Sequence, residues 1–240
     1  PDQINTFLSY GLILHGFINL RSLRLYHLRS AISMQIILTE SHQLPYLMHL
    51  NCIDCSFKNE DEWLCEQLNN IWSLSKLIHC HLDIDFENHY YIVNPSTISI
   101  ALRRLSIESY SYGLNELCRL LENSPNLRYL SLLLGNDLEN QSVVSFPIAS
   151  ISTLKLSVYE SSSTTMIYLL KNVSHLRQLT VKTDEVNMNG HDWERLITDH
   201  LVKLKVFELQ MIFRLNDNDN KEQRVVDLLK PELRHKVLVA

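Results

Sequence analysis

Glycine is scarce in this sequence, with only five among 240 residues. A loop that closes its backbone around a phosphate needs several glycines at fixed spacing. No G-x-G-x-x-G or G-x-x-x-x-G-K-[ST] run occurs, nor the G-x-S-x-G elbow of a serine hydrolase. Nucleotide binding through such a loop and hydrolysis at such an elbow lose their sequence support, and the expectation is a non-enzymatic protein without cofactor or metal. Long apolar runs are missing as well. Nothing approaches the roughly 18 consecutive apolar residues that read as a bilayer span, and no basic segment leads into an apolar stretch as in a secretory signal.

Excess positive charge is also absent. Lys and Arg number 22 against 27 acidic residues, a formal net charge of -5, and residues 61–120 hold 4 basic residues against 8 acidic ones. Phosphate neutralisation needs clustered cations, so no nucleic-acid partner is expected. Attachment to an anionic membrane surface is disfavoured for the same reason. Five cysteines, an odd number, argue against a closed disulfide framework. Free thiols at core positions suit a reducing compartment, so a cytoplasmic or nuclear location is expected. Two acceptor sequons, at Asn140 and Asn172, would carry glycans only in a secreted chain.

What the sequence does have is a recurring apolar pattern, L-x-x-L-x-L, met eight times. It falls at Leu20-Leu23-Leu25, Leu47-Leu50-Cys52, Leu77-Cys80-Leu82, Leu102-Leu105-Ile107, Leu127-Leu130-Leu132, Ile151-Leu154-Leu156, Leu176-Leu179-Val181 and Leu204-Phe207-Leu209. Successive first positions lie 27, 30, 25, 25, 24, 25 and 28 residues apart. That period and that core are those of leucine-rich repeats. Within each copy, apolar residues alternate with others, the mark of a strand with one buried face.

Between the strands the period lengthens to that of a helix. Asp61 to Leu74 puts Trp63, Leu64, Leu68, Ile71 and Trp72 on one stripe, and Asn115 to Leu121, Ser163 to Val173 and Asp192 to Leu201 repeat the arrangement. Ser30 to Thr39 carries a weaker version. Strand-then-helix repetition requires parallel strands joined by crossovers. The expected fold class is α/β: a leucine-rich-repeat solenoid with a curved parallel sheet and helices on its convex side. Residues 1–240 form a single domain of about eight repeats in this reading. Asp85 to Ser99 and Gly135 to Phe146 lack helical periodicity and are expected to be irregular. Ile4 to His15 reads as an amphipathic helix with no strand before it, so the array is expected to continue upstream of Pro1. Asn216 to Asn220 reads as a solvated loop, and Glu222 to Leu229 as a capping helix.

The runs Leu44 to Cys55 (LPYLMHLNCIDC), Leu74 to Ile84 (LSKLIHCHLDI), Ser124 to Leu132 (SPNLRYLSL) and Gly190 to Leu209, with GHDWERLI and HLVKLKVFEL, carry a family resemblance. The chain resembles the leucine-rich-repeat half of divergent F-box domain-containing proteins over essentially all of its length. The resemblance implies a substrate-recognition surface for a cullin-type ubiquitin ligase, with a protein substrate on the concave face. The ligase adaptor would be reached only through an F-box upstream of these residues. One departure is plain. The consensus puts Asn or Cys three residues after the last apolar position, and only Cys55 meets it. A repeat scaffold or inhibitor without any ligase connection fits the same residues.

Cys52-x-x-Cys55 with His79, Cys80 and His81 has the residue types of a zinc site. The repeat accounts for them differently, with Cys52 and Cys80 at buried positions and the histidines on the opposite side of the strand. His191, Asp192 and Glu194 sit at a helix start, where such residues cap or complement the dipole. Asp217-x-Asp219 lacks the Gly and Glu of a calcium loop. The outward strand positions remain as candidates for partner binding, because repeat arrays bind along such a face. They include His49, His79, Arg104 and Tyr129 in the first outward column. Asn51, His81 and Lys155 belong to the second, and Asp83, Glu108 and Lys182 to the third. Imidazoles, an Arg and an aromatic are frequent at interface hot spots.

Overall fold

The computed structural model describes residues 14–57, 61–86, 94–135, 150–159, 163–184, 188 and 190–212. Most of the helix expected over residues 4–15, most of the irregular stretch 135–146, and the loop and cap expected over 216–229 lie outside the described residues. Within the first of these, Leu14–Gly16 form one turn of 3-10 helix. The chain clusters into two compact units. The first is Pro1–Ser111 with Glu116–Arg128, and the second is Tyr112–Asn115 with Tyr129–Ala240.

The first unit is built on strands β1 (Ser22–Tyr26), β2 (His49–Phe57), β3 (His79–Phe86) and β4 (Arg104–Tyr112), in chain order and paired in parallel. Helices α1 (Ala31–Ser41), α2 (Asp61–Trp72) and α3 (Leu114–Glu122) follow β1, β2 and β4. After β3 the described residues 94–100 are irregular, as the missing periodicity predicts. The second unit repeats the plan with β5 (Tyr129–Leu134), β6 (Thr153–Tyr159), β7 (Gln178–Asp184) and β8 (Val206–Ile212), also parallel and in order. Helix α4 (Ser163–Lys171) follows β6 and α5 (Gly190–His200) follows β7. The fold is therefore α/β with parallel strands, as the alternation of periods requires.

Of the 24 aligned apolar positions, 21 are buried; Leu20, Leu23 and Leu204 are half-buried. Those three belong to the first and last copies, which have a described neighbouring strand on one side only. Each buried leucine is worth about 1.5–3 kcal/mol relative to exposure. Aromatic side chains tie the strands to the helices: Phe57 of β2 meets Trp63 of α2 edge-on, ring centroids 5.4 Å apart, and Phe207 of β8 lies 5.2 Å from Trp193 of α5. Ser30 caps α1, its hydroxyl accepting from the Ser33 amide at 3.2 Å.

A short turn precedes most strands and fixes their register. In the sequences Leu44-Pro45-Tyr46-Leu47 and Ser124-Pro125-Asn126-Leu127, proline holds the second position, where its fixed φ favours the bend. The last residue of each turn donates its amide to the carbonyl of the first: Leu77 to Leu74 at 3.1 Å, Leu127 to Ser124 at 3.1 Å, Leu176 to Val173 at 3.0 Å and Leu204 to Leu201 at 2.8 Å. A second device links neighbours. The carbonyl of Arg21 accepts from both Met48 and His49, that of Met48 from both Ile78 and His79, and that of Ile78 from both Arg103 and Arg104. In the second unit, the Arg177 carbonyl accepts from Lys205 and Val206 in the same way.

Candidate functional site

The register places the outward residues in rows. Ser22, His49, His79 and Arg104 are successive partners across β1 to β4, and Arg24, Asn51, His81 and Ser106 form the next row. In the second unit, Tyr129, Thr153, Gln178 and Val206 form the first row, Ser131, Lys155, Thr180 and Glu208 the second, and Leu133, Ser157, Lys182 and Gln210 the third. These are the columns read from the sequence, because in a strand every second side chain shares a face. Leu50, Cys52, Cys80, Leu82, Leu105 and Ile107 take the alternate positions and are buried.

In the first unit His49 and His79 are half-buried, with rings 5.7 Å apart and nearly perpendicular. Arg104, the next partner, is exposed. Burial pushes the His79 pKa below 6.5, and the nearby charge of Arg104, then His49 and His81, act in the same direction. His81 Nδ1 lies 3.8 Å from Glu108 Oε1. Asn51 Oδ1 is buried without a hydrogen-bond partner, and Ser106 is buried outright. In the second unit the Lys155 ammonium sits over the Tyr129 ring, 5.9 Å from its centroid, within cation–π range. Thr180 donates to Glu208 at 3.3 Å, and Lys182 is half-buried beside Ser157 and Gln210 in its row.

The third column breaks in β2. Between Cys52 and Cys55 the pairing with β3 slips, and Asp54 adopts a left-handed conformation, φ 47°. His27, which follows the partner of Ile53, does the same with φ 53°. Asp and His tolerate this region better than most residues. The Asp54 carboxylate is held by His27 Nδ1 at 2.6 Å and by Arg29, which donates to Oδ1 at 3.0 Å and to the Asp54 carbonyl at 2.7 Å. Asp83 Oδ2 accepts from the Asp54 amide at 2.9 Å. Hydrogen bonds from Arg29 and then His27 hold the Asp54 carboxyl below its usual range. None of His27, Arg29 and Asp54 stands out in the sequence. The available signal was Cys55, which meets the consensus turn position and so implies that the strand bends before it.

No family model and no curated protein matches this chain.

The bulge also decides the cysteine chemistry. Three residues apart on a regular strand, Cys52 and Cys55 would point to opposite faces. The extra residue turns both inward, where they are 0% and 1% exposed. The Cys55 thiol lies 3.9 Å from the Leu25 carbonyl and 3.7 Å from that of Ile53. Its hydrogen bond with Cys52 lowers its pKa to about 7 against the effect of burial, while Cys52 is raised by the same bond and by burial. Burial likewise pushes Cys80 up. His79 and His81 lie on the other side of β3, so these thiols and imidazoles do not converge. Among the described residues no three His, Cys, Asp or Glu side chains group as metal ligands.

His191 and Asp192 lie inside the first turn of α5, not at its cap, since the helix already begins at Gly190. His191 Nδ1 is 3.7 Å from Glu194 Oε2 one turn on, and Trp193 between them is buried. No described helix is long and apolar enough to cross a membrane.

Proposed function

We propose that this chain is a leucine-rich-repeat solenoid whose outward strand face holds a protein partner. The observation that carries this reading is the register within each unit: aligned leucines share the buried layer, while the variable positions of successive copies lie side by side on the outward face. In this reading the strands of each unit line a concave side, where the partner binds, and the helices a convex side. Placement of mixed His, Arg, Tyr and Lys side chains on that surface supports recognition of a protein, since such residue types recur at interface hot spots.

By its resemblance, the module serves as the substrate-recognition part of an F-box-type ubiquitin ligase subunit, the adaptor being bound by an F-box elsewhere in the protein. The test uses the protein in the length that its transcript encodes as bait for cross-linked capture. A ligase adaptor and a second protein should be recovered, the second lost when Arg104 and Tyr129 are changed together to Ala without a fall in melting temperature. Capture of the second protein without any adaptor would end the ligase reading and leave a scaffold. Unchanged capture by the double variant would end the assignment of this face.

A further inference from the structure

The first-unit face has a charge pattern that the chain as a whole lacks. The first two rows across β1 to β4 hold eight positions, and none is a carboxylate. They include Arg24 and Arg104, both exposed, and three imidazoles, His49, His79 and His81. The whole chain, by contrast, carries net charge -5. The acids of this surface lie further along the strands: Asp83, which accepts from the Asp54 amide, and Glu108, beside His81. The face is thus polarised, cationic where the strands begin and anionic where they end.

We propose that these two rows bind an acidic segment, rich in Asp or Glu, of the partner protein. The inference rests on the reading of the outward face as a recognition surface and names the chemistry of its ligand. The spacing suits an extended peptide. Neighbouring strands lie about 4.8 Å apart, so His49 and Arg104 are about 10 Å apart along the row, and alternate side chains of an extended peptide recur every ~7 Å. Two carboxylates on alternate residues can therefore reach the His49–His79 pair and Arg104 together. An arginine can take a carboxylate through two parallel hydrogen bonds. A basic segment would meet the two arginines instead.

His79 reports the event. It faces His49 on β2, Arg104 on β4 and His81 on its own strand, with Asp83 and Glu108 as the acids of the face; burial first, and then Arg104, His49 and His81, disfavour its protonation. A bound carboxylate reverses that field. The probes are fluorescein-labelled hexaglutamate, hexaglutamine and a single-stranded oligouridylate, added to the whole chain at pH 6 and pH 7.5.

Hexaglutamate should bind, more tightly at pH 6, and weaken at least tenfold between 50 and 500 mM salt, the direction that charge screening gives. Hexaglutamine should not bind. The NMR titration midpoint of His79 should rise with hexaglutamate present. Arg24→Gln with Arg104→Gln should lose at least tenfold in hexaglutamate affinity while melting normally; if that pair fails to fold, Arg104→Gln alone should lose threefold or more. Equal binding of hexaglutamate and hexaglutamine, no binding of either, tighter binding of the oligouridylate, or full affinity in the variants would overturn the proposal. If the peptide fails but Arg104→Gln still weakens the captured partner, the acidic ligand falls and the recognition reading stands. If neither responds, both fall.

Discussion

The indole Nε1 of Trp72 donates to the Ser124 hydroxyl at 2.9 Å, across 52 residues of sequence and with both side chains buried. The bond joins the end of α2 to the turn Ser124-Pro125-Asn126-Leu127. Asn123, just before it, donates to the Pro95 carbonyl at 2.6 Å, and Asn69 of α2 accepts from the Ser96 and Thr97 amides. Side chains thus tie the irregular residues 95–97 to α2 and to Asn123.

Removing one partner should therefore cost more than removing both. Ser124→Ala strands a buried donor and should lower stability by about 1–3 kcal/mol. Trp72→Phe with Ser124→Ala should recover part of that loss in a double-mutant cycle read by urea unfolding. Additive single effects would show that the bond contributes nothing of its own.

Leucines at the same pattern position should differ by place in the array. Leu105→Ala, fully buried on β4, should cost about 2–5 kcal/mol. Leu23→Ala, half-buried on β1, should cost clearly less, because fewer atoms lose contacts. Thermal or chemical unfolding of the pair decides it.

These two leucines also show what could be read from sequence. The strand columns were legible because burial alternates every second residue, and a one-residue slip would expose every leucine. Helices α2 to α5 were legible from their apolar stripes. The bulge at Asp54 was not, since it rests on positive φ at Asp and His and on Arg29 reaching from the preceding copy. Nor was the His79–Arg104 electrostatic coupling visible, although both residues were named, because it depends on which columns become hydrogen-bonded neighbours.

The coupling makes a pH prediction with a definite sign. His79 has a folded pKa below 6.5, so between that value and 6.5 the unfolded chain holds a proton the folded one does not. Its contribution is complete above pH 6.5 and is lost as pH falls through that window. The His79 ring should titrate below 6.5 by NMR in the free protein, and Arg104→Gln should move its midpoint upward. An unmoved midpoint would remove Arg104 from the account.

Thiol accessibility separates the five cysteines. Cys65 is half-buried and the other four are buried. Brief iodoacetamide treatment of the native protein should label Cys65 first by mass spectrometry. Cys52, Cys55, Cys80 and Cys118 should react fully only on unfolding, Cys55 included, since its lowered pKa is of no use to a reagent that cannot reach it. Early labelling of Cys55 would mean that the bulge opens readily.

Asp54→Ala should loosen that bulge by losing the Arg29 and His27 contacts while keeping a side chain at positive φ. Hydrogen exchange should speed at the Ser56 amide, which donates to the Leu28 carbonyl at 3.0 Å. Asp54→Asn, which keeps an acceptor and tolerates the conformation, should exchange more slowly than the Ala variant. Equal rates in all three would detach the bulge from its side-chain anchors.

The doubled acceptors at Arg21, Met48, Ile78 and Arg177 have a consequence for how such a chain can change over time. Alignment between copies starts from these acceptors, just before each strand, and runs on along the paired strands. Residues gained or lost between the end of a strand and the next turn leave that point untouched, while one added inside the turn shifts the strand that follows it. The uneven spacing of 24 to 30 residues is then what the arrangement permits: length drifts freely along most of each copy, and the count restarts at every turn.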